Sequence, residues 1–218
     1  MNAQQLIPPT RQPLRAASDF ADSAAVEDDL FDMTRVLITS RVNVSPKRLD
    51  APGPSPLQLA SLLSLAAAAP DHGLLTPWRF ILVPLAKRQR LAEVFALALI
   101  DRDPGATLAQ IESAREKAHR APLLLVAVAC LGTREPDIPP LERMVSMGAA
   151  IQNLLLGSHA MGFGVGLTSG QAMASPRLRE LLALSAGETP VCCVNIGMVS
   201  KAKSCRLRPA PETFFSVL

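Results

Sequence analysis

The chain has 218 residues, 49% of them hydrophobic and 19% charged, which is enough for one domain with a sizeable core. The 22 basic and 19 acidic residues leave a formal net charge of only +3, and the charges are scattered, which argues against a nucleic-acid-binding face. Cys130, Cys192, Cys193 and Cys205 form no CxxC or His/Cys cluster at metal-ligand spacing, so no metal site is expected.

Residues 1–25 are rich in Pro, Gln, Ala and Asp and lack apolar periodicity, which predicts a flexible or partner-draped arm before a domain over 26–218. No basic stretch leads into an apolar one, so no signal peptide is expected. Cysteines set in apolar runs fit a reduced, cytoplasmic protein. Val26, Leu30, Met33 and Leu37 recur at helical spacing, with Glu27, Asp28 and Asp29 in the first turn, predicting a helix over 26–39. The loop SRVNVSPKRL follows, with Arg41, Lys47 and Arg48. After the connector APGPSP, Ser55 or Pro56 opens a leucine-rich helix to Ala69.

The stretch Ala66–Phe80, AAAAPDHGLLTPWRF, is the corner around which the rest is arranged. Pro70 stops the helix, Asp71-His72-Gly73 turns, and Trp78 leads into an apolar strand over 80–83. A histidine and an indole at such a corner suit a flat anionic ligand. The residue types alone favour the blander reading of a loop histidine and a core tryptophan. Helices are predicted over 88–100 and 107–120, the second capped by Thr107. A buried strand covers 122–131, then a loop, then a long helix over 141–161 and a strand over 163–167. The apolar run 144–167 raises a membrane question, but Ser146, Gln152, Asn153, Ser158, His159 and its glycines mark it as a buried helix and strand. SPRLRELLAL reads as a helix capped by Ser175, with Pro176 at its first position. A last strand covers 190–197 and ends at Gly197. The basic tail closes on PETFFSVL, whose apolar end is expected to add a strand to its own sheet or to that of a second subunit. Few strands, far apart in sequence with long helices between them, make an α+β layout.

Four motifs carry possible chemistry. Gly162-Phe163-Gly164-Val165-Gly166 mimics a nucleotide-binding glycine loop. It follows a helix and opens a strand, the reverse of the Rossmann order, so close packing or backbone approach to a ligand is the better reading. Arg41 with Asn43 has the donors to hold a phosphate, against a plain solvated loop arginine. Ser158-His159 lacks an acid partner and a nucleophile elbow, so hydrolysis is discounted. Glu112, Arg115, Glu116, Lys117 and His119 read as a solvated charged face.

Arg41, the PDHGLLTPW corner, the helix into GFGVGLTSG and the late VNIGMVSKAK strand occur in an order that resembles the FMN-dependent nitroreductase family, in particular its short YdjA-type members. The resemblance covers about residues 30–218. It implies a mixed sheet flanked by helices in an arm-exchanged homodimer, with two FMN sites at the subunit interface. The family's Arg-Arg-Ser phosphate grip corresponds here to Arg41, Val42 and Asn43, so one cation is lost. Its histidine corresponds to His72, and its Trp-Arg-Ser run to Leu167, Thr168 and Ser169. A further family arginine before the corner is replaced by alanine within 66–69. Lys47, Arg48, Lys201, Lys203 and Arg206 are candidates to compensate. The nicotinamide nucleotide segment would fall near Gly157 to Gly162.

The resemblance thus implies an FMN oxidoreductase in which NADH or NADPH reduces the flavin and then gives way to a small acceptor, a nitroaromatic, quinone or enone, by ping-pong hydride transfer. No side chain need act as acid or base, and the helix pair 88–120 is expected to lid the pocket. Two alternatives stand beside it: a flavin-dependent dehydrogenase of a biosynthetic intermediate, and a non-catalytic flavin-binding dimer.

Overall fold

The sheet is organised by its last strand. In the computed structural model, which describes residues 24–132, 135, 137–201 and 207–218, strand β5 (Glu188–Val199) pairs with three others: β1 (Leu49–Asp50), β3 (Leu123–Cys130) and β4 (Gly164–Thr168). Strand β2 (Trp78–Leu82) extends the sheet beyond β3. All these ladders are antiparallel; among the described residues parallel pairing enters only as the bridge between Asn43 and Val165. β3 and β5 are apolar on both faces because helices cover both.

Alternate residues sort the two faces. Leu125, Ala127, Ala129, Cys192, Val194 and Ile196 face helices α2 (Pro56–Ala67) and α5 (Pro140–Ala160), through Leu62, Ala66, Met147, Ala150 and Leu154. Leu124, Val126, Val128 and Cys193 face α3 (Arg88–Arg102) and α6 (Pro176–Leu181), through Leu91, Ala92, Phe95 and Leu178. The short helix α4 (Leu108–Glu116) packs on α3, with Arg115 bonded to Glu93 at 3.1 Å. Both α2 and α4 begin with reciprocal capping boxes, Ser55 with Gln58 and Thr107 with Gln110.

Helix α1 (Ala24–Ser40) closes the first of two compact units, Met1–Thr39; Ser40–Leu218 is the second. Leu30, Phe31 and Met33 of α1 are exposed. The expected arm lies outside the described residues up to residue 23.

Four expectations are corrected. β5 does not stop at Gly197 but runs on to Val199, because Met198 and Val199 pair with Asp50 and Leu49. Gly197 is there for close approach: a Cβ would lie 2.7 Å from the Pro122 ring and 2.8 Å from the Asp50 carbonyl. Ser175 precedes α6 but does not cap it with its side chain; its buried hydroxyl has no partner. Of the two places expected for the apolar tail, its own sheet is ruled out: residues 207–218 hold a 3-10 turn, Pro211–Thr213, and no strand, and Phe214, Phe215 and Val217 are exposed. Finally, the 107–120 helix is α only to Glu116, with a 3-10 turn over Lys117–His119. No helix among the described residues is long and apolar enough to cross a membrane.

Candidate functional site

The glycine run sets up one side of the site. α5 ends in a Schellman motif: Gly162, at φ 84°, donates to His159 O at 2.9 Å, and Phe163 donates to Ser158 O at 2.9 Å. The chain then enters β4 against the loop that follows α1. A Cβ on Gly166 would lie 2.0 Å from the Val44 carbonyl, so only glycine admits this contact. Val44 N–H donates to Val165 O at 2.9 Å, and the Asn43 amide oxygen accepts the Leu167 N–H at 2.9 Å. The backbone that the glycines let close is thus the 43–46 loop, which holds Arg41 and Asn43 beside the end of β4.

Arg41 is half-buried, and its Nε is buried without a hydrogen-bond partner. Arg208, from the C-terminal segment, donates to the Arg41 carbonyl at 3.0 Å. Burial, and then the Arg208 charge, push the Arg41 guanidinium below its ordinary value. Two cations with an orphaned buried donor describe a socket for an anion. Val42, where the resemblance expects a cation, packs on Val44, Leu49 and Ala121 instead. Leu167 points its side chain into the core beside Val165, while Thr168 and Ser169 are exposed at the strand end.

Thr168, Ser169 and Gly170 open onto a cavity of about 470 Å³. Its other walls come from Pro46 and from α3 and α4. Buried Asn195 reaches across from β5, its Nδ2 donating to Thr168 Oγ at 3.0 Å and to Gly166 O at 3.2 Å. With that oxygen already accepting, the Thr168 O–H is left to donate. Cys193 also lines the cavity; burial pushes its thiol up to about 12 and that of Cys192 up to about 11, so both stay protonated at neutral pH.

His72 lies elsewhere. Asp71 accepts the Thr76 N–H, and the turn carries positive φ at Gly73, Leu74 and Thr76. His72 Nδ1 meets Glu142 Oε1 at 2.5 Å in the first turn of α5, and its Nε2 bonds none of the described residues. Ser40, next to Arg41, bonds His159 in the last turn of the same helix at 2.8 Å. Glu142 and His159 are about 25 Å apart along α5, at about 1.5 Å per residue. One chain therefore does not bring Arg41 and His72 to a common point. Trp78 is a buried core residue, as its residue type favoured. Gly157 packs α5 on α2: a Cβ there would lie 2.4 Å from Leu65 Cδ1. The Ser158 hydroxyl donates within its own helix, to Leu154 O.

The sequence reading missed Arg208 and Asn195, whereas the helix pair over 88–120 does line the cavity as expected. Arg208 lies in the basic tail with three of the five candidate cations, Lys201, Lys203 and Arg206; Lys47 and Arg48 lie in the loop after the first helix. Of the five, Lys203 and Arg206 lie outside the described residues, and Lys47 lines a separate depression with Glu112 and Arg115. The charged face on α4 is only partly solvated, since Arg115 ties α4 to Glu93 and Lys117 lines the cavity.

This antiparallel sheet between two helical layers has the fold of solved nitroreductase-like proteins. A nitroreductase-like family protein from Bacillus cereus matches with a TM-score of 0.73 at 21% identity, covering 84% of this chain and 95% of that one. The FMN-dependent nitroreductase NfnB from Mycobacterium smegmatis, solved with NADPH, matches with a TM-score of 0.68 at 16% identity, covering 87% and 100%. The chain belongs to the nitroreductase family, whose model matches residues 43–198. Its relatives include a Haemophilus influenzae protein named "Putative NAD(P)H nitroreductase", 32% identical over 78% of this chain and 92% of that one. "Putative NAD(P)H nitroreductase YdjA" from Escherichia coli is 32% identical over 68% and 78%.

Proposed function

We propose that this protein is an FMN-dependent oxidoreductase acting as a homodimer, with residues 26–218 as its flavin-binding domain. The observation that supports this best is the anion socket: Arg41 with its buried, unpartnered Nε, faced by Arg208 and set beside Asn43. A phosphate monoester placed there satisfies Nε and relieves the repulsion between the two guanidinium groups. Asn43 spends its oxygen on Leu167 and keeps its NH2 to donate. Thr168 and Ser169 present a hydroxyl pair to the ring system in the adjoining cavity, the first held by Asn195.

FMN held by Arg41, Asn43, Thr168 and Ser169 would supply two-electron hydride chemistry, with NADH or NADPH as donor and a nitroaromatic, quinone or enone as acceptor in ping-pong order. The chain's own part is to grip, orient and exclude water; no cavity side chain is assigned as acid or base. The separation of Arg41 and His72 along α5 supports a site completed by a second copy, in which the Nε2 of His72 from one subunit meets the flavin held by Arg41 of the other. Gly162 caps α5 in this reading, and Gly157 and Val42 serve packing.

The test is the visible spectrum of the purified protein, followed by addition of NADH or NADPH. Absorbance near about 450 nm that bleaches with either donor is the expected result. Protein that stays colourless after soaking in FMN contradicts the reading.

A further inference from the structure

The cavity has an uneven charge. Its α3–α4 wall presents Arg102, Lys117 and Arg120, against one acid, Asp103. Asp103 is engaged in its own turn, accepting the Gly105 N–H at 3.1 Å. Arg120 is partly neutralised by Glu116 at 3.5 Å and donates to Ser113 O at 3.3 Å. Arg102 and Lys117 make no ion pair or hydrogen bond with any described residue. Thr168 to Gly170 lie on the opposite wall.

We propose that Arg102 and Lys117 make this site selective for acceptors that carry a carboxylate; the inference rests on the flavin reading above and narrows its substrate class. A neutral aromatic acceptor leaves both cations with their water. An acceptor bearing a carboxylate gains charge attraction from a concave wall that focuses the field, and Gln110 and Ser113 add neutral donors beside them. The attraction belongs to the wall facing the cavity, so it acts on the acceptor's tail and not on its reducible group.

The test compares isosteres that differ in charge. Binding of benzoate and benzamide, neither reducible, is measured by calorimetry on the wild type, R102Q, K117Q and the double variant. Reduction of para-nitrobenzoate and para-nitrobenzamide is followed in parallel, with melting temperature as the check on folding. In the wild type benzoate binds about fivefold more tightly than benzamide at low ionic strength, and the ratio falls toward about one as salt is raised. Each single variant lowers the ratio, the double variant brings it to about one, and the kcat/KM ratio of the nitro pair follows. A wild-type ratio of one or less, or a ratio that survives the double variant, overturns the proposal. Benzoate and benzamide binding is read on flavin-loaded protein or, without flavin, in an Arg41→Ala background that removes the neighbouring anion socket. A colourless protein therefore overturns the flavin reading and still leaves the charge preference decided.

Discussion

Arg88 and Arg41 are both arginines drawn in from solvent, and they mean opposite things. Arg88 is 1% exposed and every arm of its guanidinium is satisfied: Nε donates to Val83 O at 2.7 Å, Nη1 to Ala118 O at 2.6 Å and Nη2 to Pro122 O at 3.4 Å. It pins the start of α3 to the turn that enters β3, and nothing remains for a ligand. Arg41 is less buried but less satisfied, with an orphaned Nε and a like charge beside it. A saturated buried cation is scaffold; an unsaturated one is a receptor for something the chain does not contain.

The contrast breaks most visibly at Arg88. Arg88→Ala is expected to cost about 3 kcal/mol in urea unfolding, because it strands several buried carbonyls at once. Flavin affinity of the protein that remains folded should change little. Gly166→Ala sits at the join between frame and socket. Forcing a Cβ onto the Val44 carbonyl should cost about 2 kcal/mol of stability and also loosen FMN, since the 41–46 loop must move. Arg41→Ala and Arg208→Ala are each expected to weaken FMN binding by about 1–3 kcal/mol in fluorescence titrations. The melting temperature of the flavin-free protein should not fall in the Arg41 variant, the reverse of Arg88.

The smallest effect concerns the ion pair at the far edge of the sheet. Arg79 bonds Glu188 at 2.5 Å, and this bond, helped by the Ser185 N–H, holds the Glu188 carboxyl below its ordinary value. A lowered native value means stability that is complete above the usual carboxylate range and is lost as pH falls through the lowered one. Glu188→Gln should therefore cost about 1 kcal/mol at neutral pH. The difference from the wild type should vanish in strong acid, as read from unfolding curves across pH.

The frame was legible because its signals are local. Ser55 and Thr107 announced their helices, and the apolar runs at 122–131 and 190–197 announced their strands, while the helix before the corner ends at Ala67, ahead of the expected stop at Pro70. Gly197 misled because a glycine reads as a stop, whereas here it admits the Pro122 ring. The site was legible only in part. Arg41, Asn43 and Thr168 were named, but their grouping depends on the register of β4 against the 43–46 loop, which no spacing encodes. Arg208 comes 167 residues after Arg41, and Asn195 sits in an apolar run where a buried amide carries no periodic signal. His72 was grouped with Arg41 by resemblance, and only the length of α5 shows that one chain keeps them apart.

That separation bears on the central claim, that each flavin is held by Arg41 of one subunit and His72 of the other. The direct measurement is FMN stoichiometry in a mixed dimer of Arg41→Ala and His72→Ala chains, purified through two different tags. One of its two sites then carries both defects and the other neither. The account predicts that each homodimeric variant binds FMN weakly throughout, while the mixed dimer recovers one tight FMN per pair of chains. A mixed dimer that binds as weakly as its parents contradicts the shared site.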